Sequence, residues 1–178
     1  MNYDRIGLSS VSEIKIKVNG RFYEVRTRPY DTLSRVLRDE LGLTGTKRGC
    51  DYGGCGSCTI SLDGLPVYSC MYPAQYAEGK EILTIEGLSG QGSGKEALSV
   101  LQKSFLENGG LQCGYCTTGI LVSGKCLLDH NPSPSVVDVQ EALAGNICRC
   151  TGYGKIIESV IVAAKLLRET KPKQITGK

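Results

Sequence analysis

The feature of this sequence that most constrains its fold is the arrangement of its nine cysteines. Eight of them form two separate groups of four thiols. The first group, spaced C-x4-C-x2-C-x11-C, consists of Cys50, Cys55, Cys58 and Cys70. The second group, spaced C-x2-C-x31-C-x-C, consists of Cys113, Cys116, Cys148 and Cys150. Because four thiols are a complete ligand set for a metal centre, the sequence predicts two centres and a fold that assembles each group.

Length and composition are those of a small soluble protein. The 178 residues suffice for one domain or two small ones, and the 40% hydrophobic content is typical of globular proteins. Residues 1–10 lack the apolar stretch of a signal peptide, and the longest apolar run, Val160–Ala164, is far too short to span a bilayer. We therefore expect a cytoplasmic protein without a membrane span. Thiols stay reduced in that compartment, where dense cysteines bind metal more often than they form disulfides.

The formal net charge of +3 says little about binding partners. If each cysteine group holds an oxidised [2Fe–2S] core of charge +2, eight thiolates remove eight charges and the cores return four, which leaves about −1. The basic residues are also scattered along the chain. A nucleic-acid-binding protein is expected to gather them into a stripe or to add a stacking platform, so we expect no nucleic-acid partner.

The first half of the chain has the pattern of a β-rich domain. Alternating polar and apolar residues, with one Asn-Gly and one Asp-Gly turn, predict two hairpins and a fifth strand at 13–18, 22–27, 59–62, 65–68 and 81–85. A helix between the hairpins is predicted to begin at an Asp31 N-cap and to end at Gly42. Its apolar face consists of Leu33, Val36, Leu37 and Leu41. This order is that of a β-grasp, ferredoxin-like domain.

The second half has helical periodicity throughout. It predicts one helix over 97–106, a second over 117–130, a third opened by Ser133-Pro134 and a fourth over 154–169. The predicted fold class is therefore α+β, with an N-terminal β-grasp ferredoxin-like domain followed by a C-terminal four-helix-bundle domain. The predicted divisions are an N-terminal extension (1–11), the β-grasp domain (12–87), a Gly/Ser-rich linker (88–94), the helical domain (95–169) and a polar tail (170–178).

The first cysteine group has the spacing of a plant-type [2Fe–2S] centre, in which C-x4-C-x2-C is followed by a distant fourth cysteine. Three thiolates from one short segment must point at a compact core, so that segment has to curl tightly. Four glycines lie among these cysteines, namely Gly49, Gly53, Gly54 and Gly56. They permit the left-handed backbone that such a curl needs. The alternatives are a zinc site, which prefers paired cysteine motifs, and free cysteines in a core.

The second cysteine group is associated with two helix starts. Cys113 and Cys116 precede a predicted helix that Thr117 is able to cap, and Cys148 and Cys150 lie in the turn before the last helix. The partial positive charge at a helix N-terminus lowers thiol pKa values and favours thiolate ligands. Two such starts facing one another can present four thiolates to one core. The alternative, a dithiol redox motif at the C-x2-C pair, leaves the other two cysteines unexplained.

Three stretches carry a resemblance to a known family. They read GCDYGGCGSCT (49–59), LQCGYCT (111–117) and GNICRCTGY (145–153). At these residues the chain resembles the small iron–sulfur subunits, with two [2Fe–2S] clusters each, of the molybdenum hydroxylases. This is the family of xanthine dehydrogenase, aldehyde oxidoreductase and carbon monoxide dehydrogenase. The resemblance extends over residues 12–168.

The resemblance implies a role, partners and two further site residues. A β-grasp domain would hold the outer cluster and a four-helix domain the inner one, with Gln112 and Cys150 next to the molybdopterin of a separate large subunit. Electrons would pass singly from that centre, through both clusters, to FAD on a medium subunit. The implied assembly is a heterotrimer or a dimer of heterotrimers. No residue of this chain would be catalytic, because the substrate would bind to another subunit.

Two residues depart from the pattern. The family motif continues Cys-Thr-Pro-Gly, whereas this chain has Thr118 in place of the proline. The ninth cysteine, Cys126, lies on the apolar face of its predicted helix, and we expect it to be a buried, unliganded thiol. Three other functions remain compatible with the residues: a free-standing two-cluster ferredoxin, a zinc-structured interaction module, and the same subunit in a reductive complex of the hydroxybenzoyl-CoA reductase type.

Overall fold

The structure is a computed structural model that describes residues 10–89 and 97–170. Most of the predicted N-terminal extension (1–11), linker (88–94) and polar tail (170–178) lies outside these described residues. The α+β class is confirmed, because a five-stranded sheet is followed by four helices in the second half. None of the helices in the described ranges has the length and apolar character needed to cross a membrane.

The sheet is built from two hairpins joined through the last strand. Its strands are β1 (Ser12–Val18), β2 (Arg21–Thr27), β3 (Thr59–Leu62), β4 (Leu65–Tyr68) and β5 (Glu81–Leu83), in the order β2-β1-β5-β3-β4. Both hairpins are antiparallel, whereas β5 runs parallel to β1 and antiparallel to β3. The predicted turns have the left-handed backbone of two-residue hairpin loops, with φ of 50° at both Asn19 and Asp63.

The last strand is shorter than the sequence predicts. It ends at Leu83 rather than at residue 85, and Ile85–Leu88 forms a 3-10 turn instead. The Asn19 side chain explains the difference, because its amide oxygen accepts the Thr84 N–H at 2.9 Å and its amide nitrogen donates to the Thr84 hydroxyl at 2.9 Å. The Asn19 side chain thus binds Thr84 where a neighbouring strand would otherwise pair, and β5 ends before this residue.

The helix between the hairpins covers one face of the sheet. It consists of α1 (Leu33–Arg35) and a continuing π-helical turn (Val36–Glu40), and Gly42 follows with φ of 70°. The predicted Asp31 N-cap is wrong, since the Thr32 hydroxyl accepts the N–H of Arg35 at 3.3 Å. The Asp31 carboxylate is used instead in a bond with the Arg28 N–H (2.8 Å) and an ion pair with Arg35 (2.6 Å).

Four helices form the second half of the fold within the described residues. They are α2 (Val100–Glu107), α3 (Thr117–His130), α4 (Val136–Leu143) and α5 (Gly154–Thr170). Both α2 and α4 begin with a capping box, formed by Ser99 with Gln102 and by Ser135 with Asp138. The third helix therefore starts two residues later than its predicted Ser133-Pro134 opening. Phe105, Ile120 and Val160 are fully buried where these helices meet.

Candidate metal centres

The first cysteine group lies in a tight loop between the helix and β3. Asp51, Gly53 and Gly56 have φ of 57°, 81° and 69°, which turns the backbone around the thiols as the glycine content predicts. Hydrogen bonds from the loop lower the pKa of Cys50 to about 7, with the backbone N–H of Tyr52 contributing most. The N–H of Gly54 also donates to the Cys50 sulfur at 3.2 Å. The loop therefore favours the thiolate form of Cys50, which is the form that binds metal.

The four thiols of this group meet as two pairs. Cys55 lies next to Cys50 in the loop and helps to lower its pKa, and Cys58 lies next to Cys70 at the end of the second hairpin and helps to raise the pKa of Cys70. Cys58 and Cys70 are only 2% and 5% exposed, whereas the loop pair is half-buried. Burial raises the pKa of Cys70 to about 12, and the neighbouring Cys58 contributes to that rise. In the metal-free protein the Cys70 thiol is therefore protonated, so binding a cation there must release its proton.

Cys70 reaches the loop because the hairpin is tied to it. The hydroxyl of Ser69 donates to the carbonyl of Cys58 at 2.7 Å, and the carbonyl of Ser69 accepts the N–H of Ser34 at 2.9 Å. Gly49 leaves the space that the thiols need, because a Cβ there would lie 2.9 Å from the Cys55 sulfur. The distant fourth cysteine of the spacing is thus brought next to Cys58 by the fold.

The second cysteine group also divides into two pairs. The sulfurs of Cys113 and Cys150 lie 3.6 Å apart on the surface, and Cys116 lies next to Cys148, which is buried. Burial raises the pKa of Cys116 to about 12, with Cys148 adding to the effect. The hydrogen bond with Cys113 raises the pKa of Cys150. One edge of this group therefore faces outward and the other faces the protein interior.

The turn that holds Cys148 is stabilised by its own side chains. Burial alone would raise the pKa of Cys148, but hydrogen bonds from the hydroxyl and N–H of Thr151 outweigh it and leave that pKa lowered. The Tyr153 hydroxyl accepts the N–H of Cys148 at 2.7 Å and donates to the carbonyl of Asn146 at 3.1 Å.

The predicted Thr117 cap is wrong, because α3 begins at Thr117 and Cys116 occupies the N-cap without a side-chain bond.

Paired thiols fit a dinuclear core. In the described ranges, no group of three or more His, Cys, Asp or Glu side chains is arranged to hold a metal ion, and the thiols approach one another as pairs. A [2Fe–2S] core is bound by four cysteine thiolates, two for each of its two irons. Each cysteine group supplies two neighbouring pairs, and the glycine loop and the Thr151 turn supply N–H donors to the sulfurs. The residues present therefore fit two such cores.

Comparison with known proteins agrees with this chemistry. Residues 16–84 match the family described as "2Fe-2S iron-sulfur cluster binding domain", and residues 84–161 match the one described as "[2Fe-2S] binding domain". The chain is 47% identical over 157 residues to a probable xanthine dehydrogenase subunit of Bacillus subtilis, an alignment that covers 88% of this chain and 86% of that one. It belongs to the small iron–sulfur subunits of the molybdenum hydroxylases.

Chains similar to this one occur in several different enzymes. The nicotine 6-hydroxylase small subunit of Paenarthrobacter nicotinovorans is 48% identical over 151 residues, which cover 85% of this chain and 88% of that one. A chain of quinoline 2-oxidoreductase from Pseudomonas putida is 43% identical with a TM-score of 0.83, and the match covers 92% of this chain and all of that one. In the aldehyde oxidoreductase of Desulfovibrio gigas the match has a TM-score of 0.84 at 41% identity. It covers 90% of this iron–sulfur subunit and 18% of that longer chain.

The remaining predicted residues occupy distinct places. Gln112 is exposed beside the outward pair of the second group, where a partner can reach its amide. Cys126 is 4% exposed on α3, with Ser61 of β3 as a neighbour, and burial raises its pKa. The hydroxyl of Thr118, at the position of the family's proline, is buried without a hydrogen bond in the described part of the chain.

Sequence reasoning missed the residues that join the two centres. The buried amide of Asn146 contacts the first loop, and the hydroxyl of Tyr68 donates to the carbonyl of Gly145 at 2.8 Å. The Tyr115 hydroxyl donates to the carbonyl of Arg48, just before that loop. Each of these contacts spans more than sixty residues of sequence, so no local sequence pattern predicts it.

Proposed function

We propose that the eight paired cysteines of this electron-transfer subunit hold two [2Fe–2S] clusters, with Cys50 and Cys55 on one iron of the first cluster and Cys58 and Cys70 on the other. For the second cluster the pairs are Cys113 with Cys150 and Cys116 with Cys148. The observation that carries this assignment is the pairwise approach of all eight thiols. When bound, each cluster accepts and releases one electron at a time.

The exposure of the two groups supports a direction of transfer. Cys113, Cys150 and Gln112 are exposed together, so a molybdopterin on a large subunit can approach the second cluster at this edge. The Gln112 amide offers a donor and an acceptor to such a pterin. The first loop carries Tyr52, which is 74% exposed, and this loop is the proposed docking place of a medium subunit with FAD. Electrons then pass from molybdenum to the second cluster, the first cluster and FAD.

The names of the relatives favour oxidative complexes of several subunits. They include a nicotinate dehydrogenase small FeS subunit and a caffeine dehydrogenase subunit gamma, at 42% and 43% identity. Because similar small subunits occur in enzymes named for different substrates, the substrate is bound elsewhere in the complex. We propose that this chain assembles with a large and a medium subunit in the cytoplasm, as a heterotrimer or a dimer of heterotrimers, through domains at 12–87 and 95–169. The free-standing ferredoxin and the reductive complex are not favoured.

Electron paramagnetic resonance of the purified complex tests the ligand assignment. Wild-type complex should contain four irons and four acid-labile sulfides per copy of this chain and show two distinct signals on reduction, as two [2Fe–2S] clusters require. Cys55→Ser should abolish one signal, and Cys126→Ala should keep both. Two zinc ions without labile sulfide would refute the iron–sulfur assignment, and loss of both signals in Cys55→Ser would refute independent clusters.

The proposed pterin contact has its own test. Gln112→Ala should leave both cluster signals intact and slow the reduction of the second cluster by molybdenum after substrate is added. Gln140→Ala is a matched control, because Gln140 is also an exposed glutamine but lies on α4. Equal reduction rates in wild type and Gln112→Ala would contradict the role of Gln112.

A further inference from the structure

The chain segments next to the two cysteine groups contact one another through three glycines, and none of these glycines has room for a Cβ. A Cβ on Gly56 would overlap the carbonyl oxygen of Gly145, and a Cβ on Gly119 would overlap that of Gly56. We call Gly56, Gly119 and Gly145 the glycine seam. It brings the first loop, the start of α3 and the turn after α4 into backbone contact, which packs the two halves of the subunit rigidly.

A buried amide closes this seam. Asn146 is 3% exposed, and its Nδ2 donates to the carbonyl of Gly56 at 2.9 Å and to the Thr59 hydroxyl at 3.2 Å. Its Oδ1 accepts the hydroxyl of Ser123 at 2.9 Å. One side chain therefore bonds to the first loop, to β3 and to α3. A buried amide with its donors and acceptor used in this way resists displacement, because each lost partner leaves a polar group unsatisfied.

The residue after this amide makes a direct main-chain link between the groups. The N–H of Ile147 donates to the carbonyl of Cys55 at 2.9 Å, and the next residue is Cys148. A ligand of the first cluster and a ligand of the second are thus separated by one hydrogen bond and one intervening residue. The Ile147 side chain takes no part in this link and is 56% exposed.

We infer that Asn146 is a positioning residue for electron transfer between the clusters. Its amide holds the loop against the turn, so that the hydrogen bond from Ile147 to Cys55 forms a continuous route from Cys148 to Cys55. One electron leaves the centre at Cys148 and arrives at the centre at Cys55; no proton moves and no bond is made or broken. This inference rests on the proposed function, because it needs a cluster at each group.

Two measurements on the purified complex test the inference. Asn146→Ala should speed hydrogen exchange of the Ile147 amide by roughly 5- to 150-fold, which is the effect of losing a buried hydrogen-bond partner. It should also weaken the magnetic coupling between the two reduced clusters, since that coupling depends steeply on their separation. Ser123→Ala removes one of the three partners of the amide and should shift both readouts in the same direction by less.

Two variants serve as controls. Asn108→Ala removes an amide that donates to Ser104 at 2.8 Å within the helical half, and Ile147→Ala removes the side chain but keeps the linking N–H. Both should retain the wild-type coupling and the protection of the amide at 147. Unchanged coupling and exchange in Asn146→Ala would overturn the inference, whereas a wild-type complex without two cluster signals would overturn the proposed function instead. Loss of coupling in Ile147→Ala would also overturn the inference, since it would move the route to a side chain.

Discussion

The glycine seam makes a quantitative prediction for Gly56→Ala. Gly56 has φ of 69°, which costs an alanine about 1–2 kcal/mol. The added Cβ would overlap the carbonyl oxygen of Gly145 and lie 2.8 Å from Nδ2 and 2.9 Å from Cα of Asn146. Two of these three neighbours are main-chain atoms that cannot rotate away, so overpacking adds about 1–3 kcal/mol. The total expected loss is about 2–5 kcal/mol.

A second glycine separates the two contributions. Gly109 has φ of 70°, but a Cβ there meets nothing within 4 Å. Gly109→Ala therefore carries the backbone cost alone, and the difference between the two variants measures the seam. In a protein of this size about 1 kcal/mol shifts Tm by about 2–4 °C, so Gly56→Ala should melt about 2–12 °C below Gly109→Ala. Thermal unfolding of the cluster-loaded protein followed by circular dichroism measures both. Equal melting temperatures would refute the close packing of the first loop on the Gly145 turn.

Three further predictions concern residues away from the seam. Cys126→Ala should keep the full iron content, because we expect this thiol not to be a ligand, and iron analysis checks this; a halved iron content would contradict it. The same variant should lower the free energy of unfolding by about 1 kcal/mol through lost packing, which the Tm measures. Thr118→Val should raise Tm by about 2–4 °C, because it removes a buried hydroxyl whose unpaired burial costs about 1 kcal/mol or more; a lower Tm would show that the hydroxyl is paired. The Glu81 N–H and the Lys80 ammonium hold the pKa of Asp63 below its ordinary value of 3.8, so the stabilisation is complete above that pH and is lost as the pH falls below it. The Tm difference between wild type and Asp63→Asn should therefore be constant from about pH 7 to 5 and shrink below about pH 4, and a difference that grows on acidification would contradict the sign.

Local patterns were sufficient for most of the fold. The Asn-Gly and Asp-Gly turns require left-handed φ values that few other residue pairs adopt, and both hairpins form at the predicted positions. The helix Thr117–His130 agrees residue for residue, because a long apolar periodicity ends at an Asn-Pro pair. The errors are at element ends, as with Asp31, where a nearby arginine competes for the capping carboxylate.

The two cysteine spacings by themselves favour [2Fe–2S] centres over zinc sites and redox dithiols. Thiols at fixed short separations around glycines can converge on one core only if the chain curls between them, which is a local property of the residues. The position of one cysteine group relative to the other, by contrast, does not follow from local sequence. Asn146, Gly56 and the Cys55–Ile147 bond act across about ninety residues of chain, and the space between their backbones exists only after both halves have packed. A sequence therefore specifies what each centre is made of, while packing at the glycine seam sets how the two centres face one another.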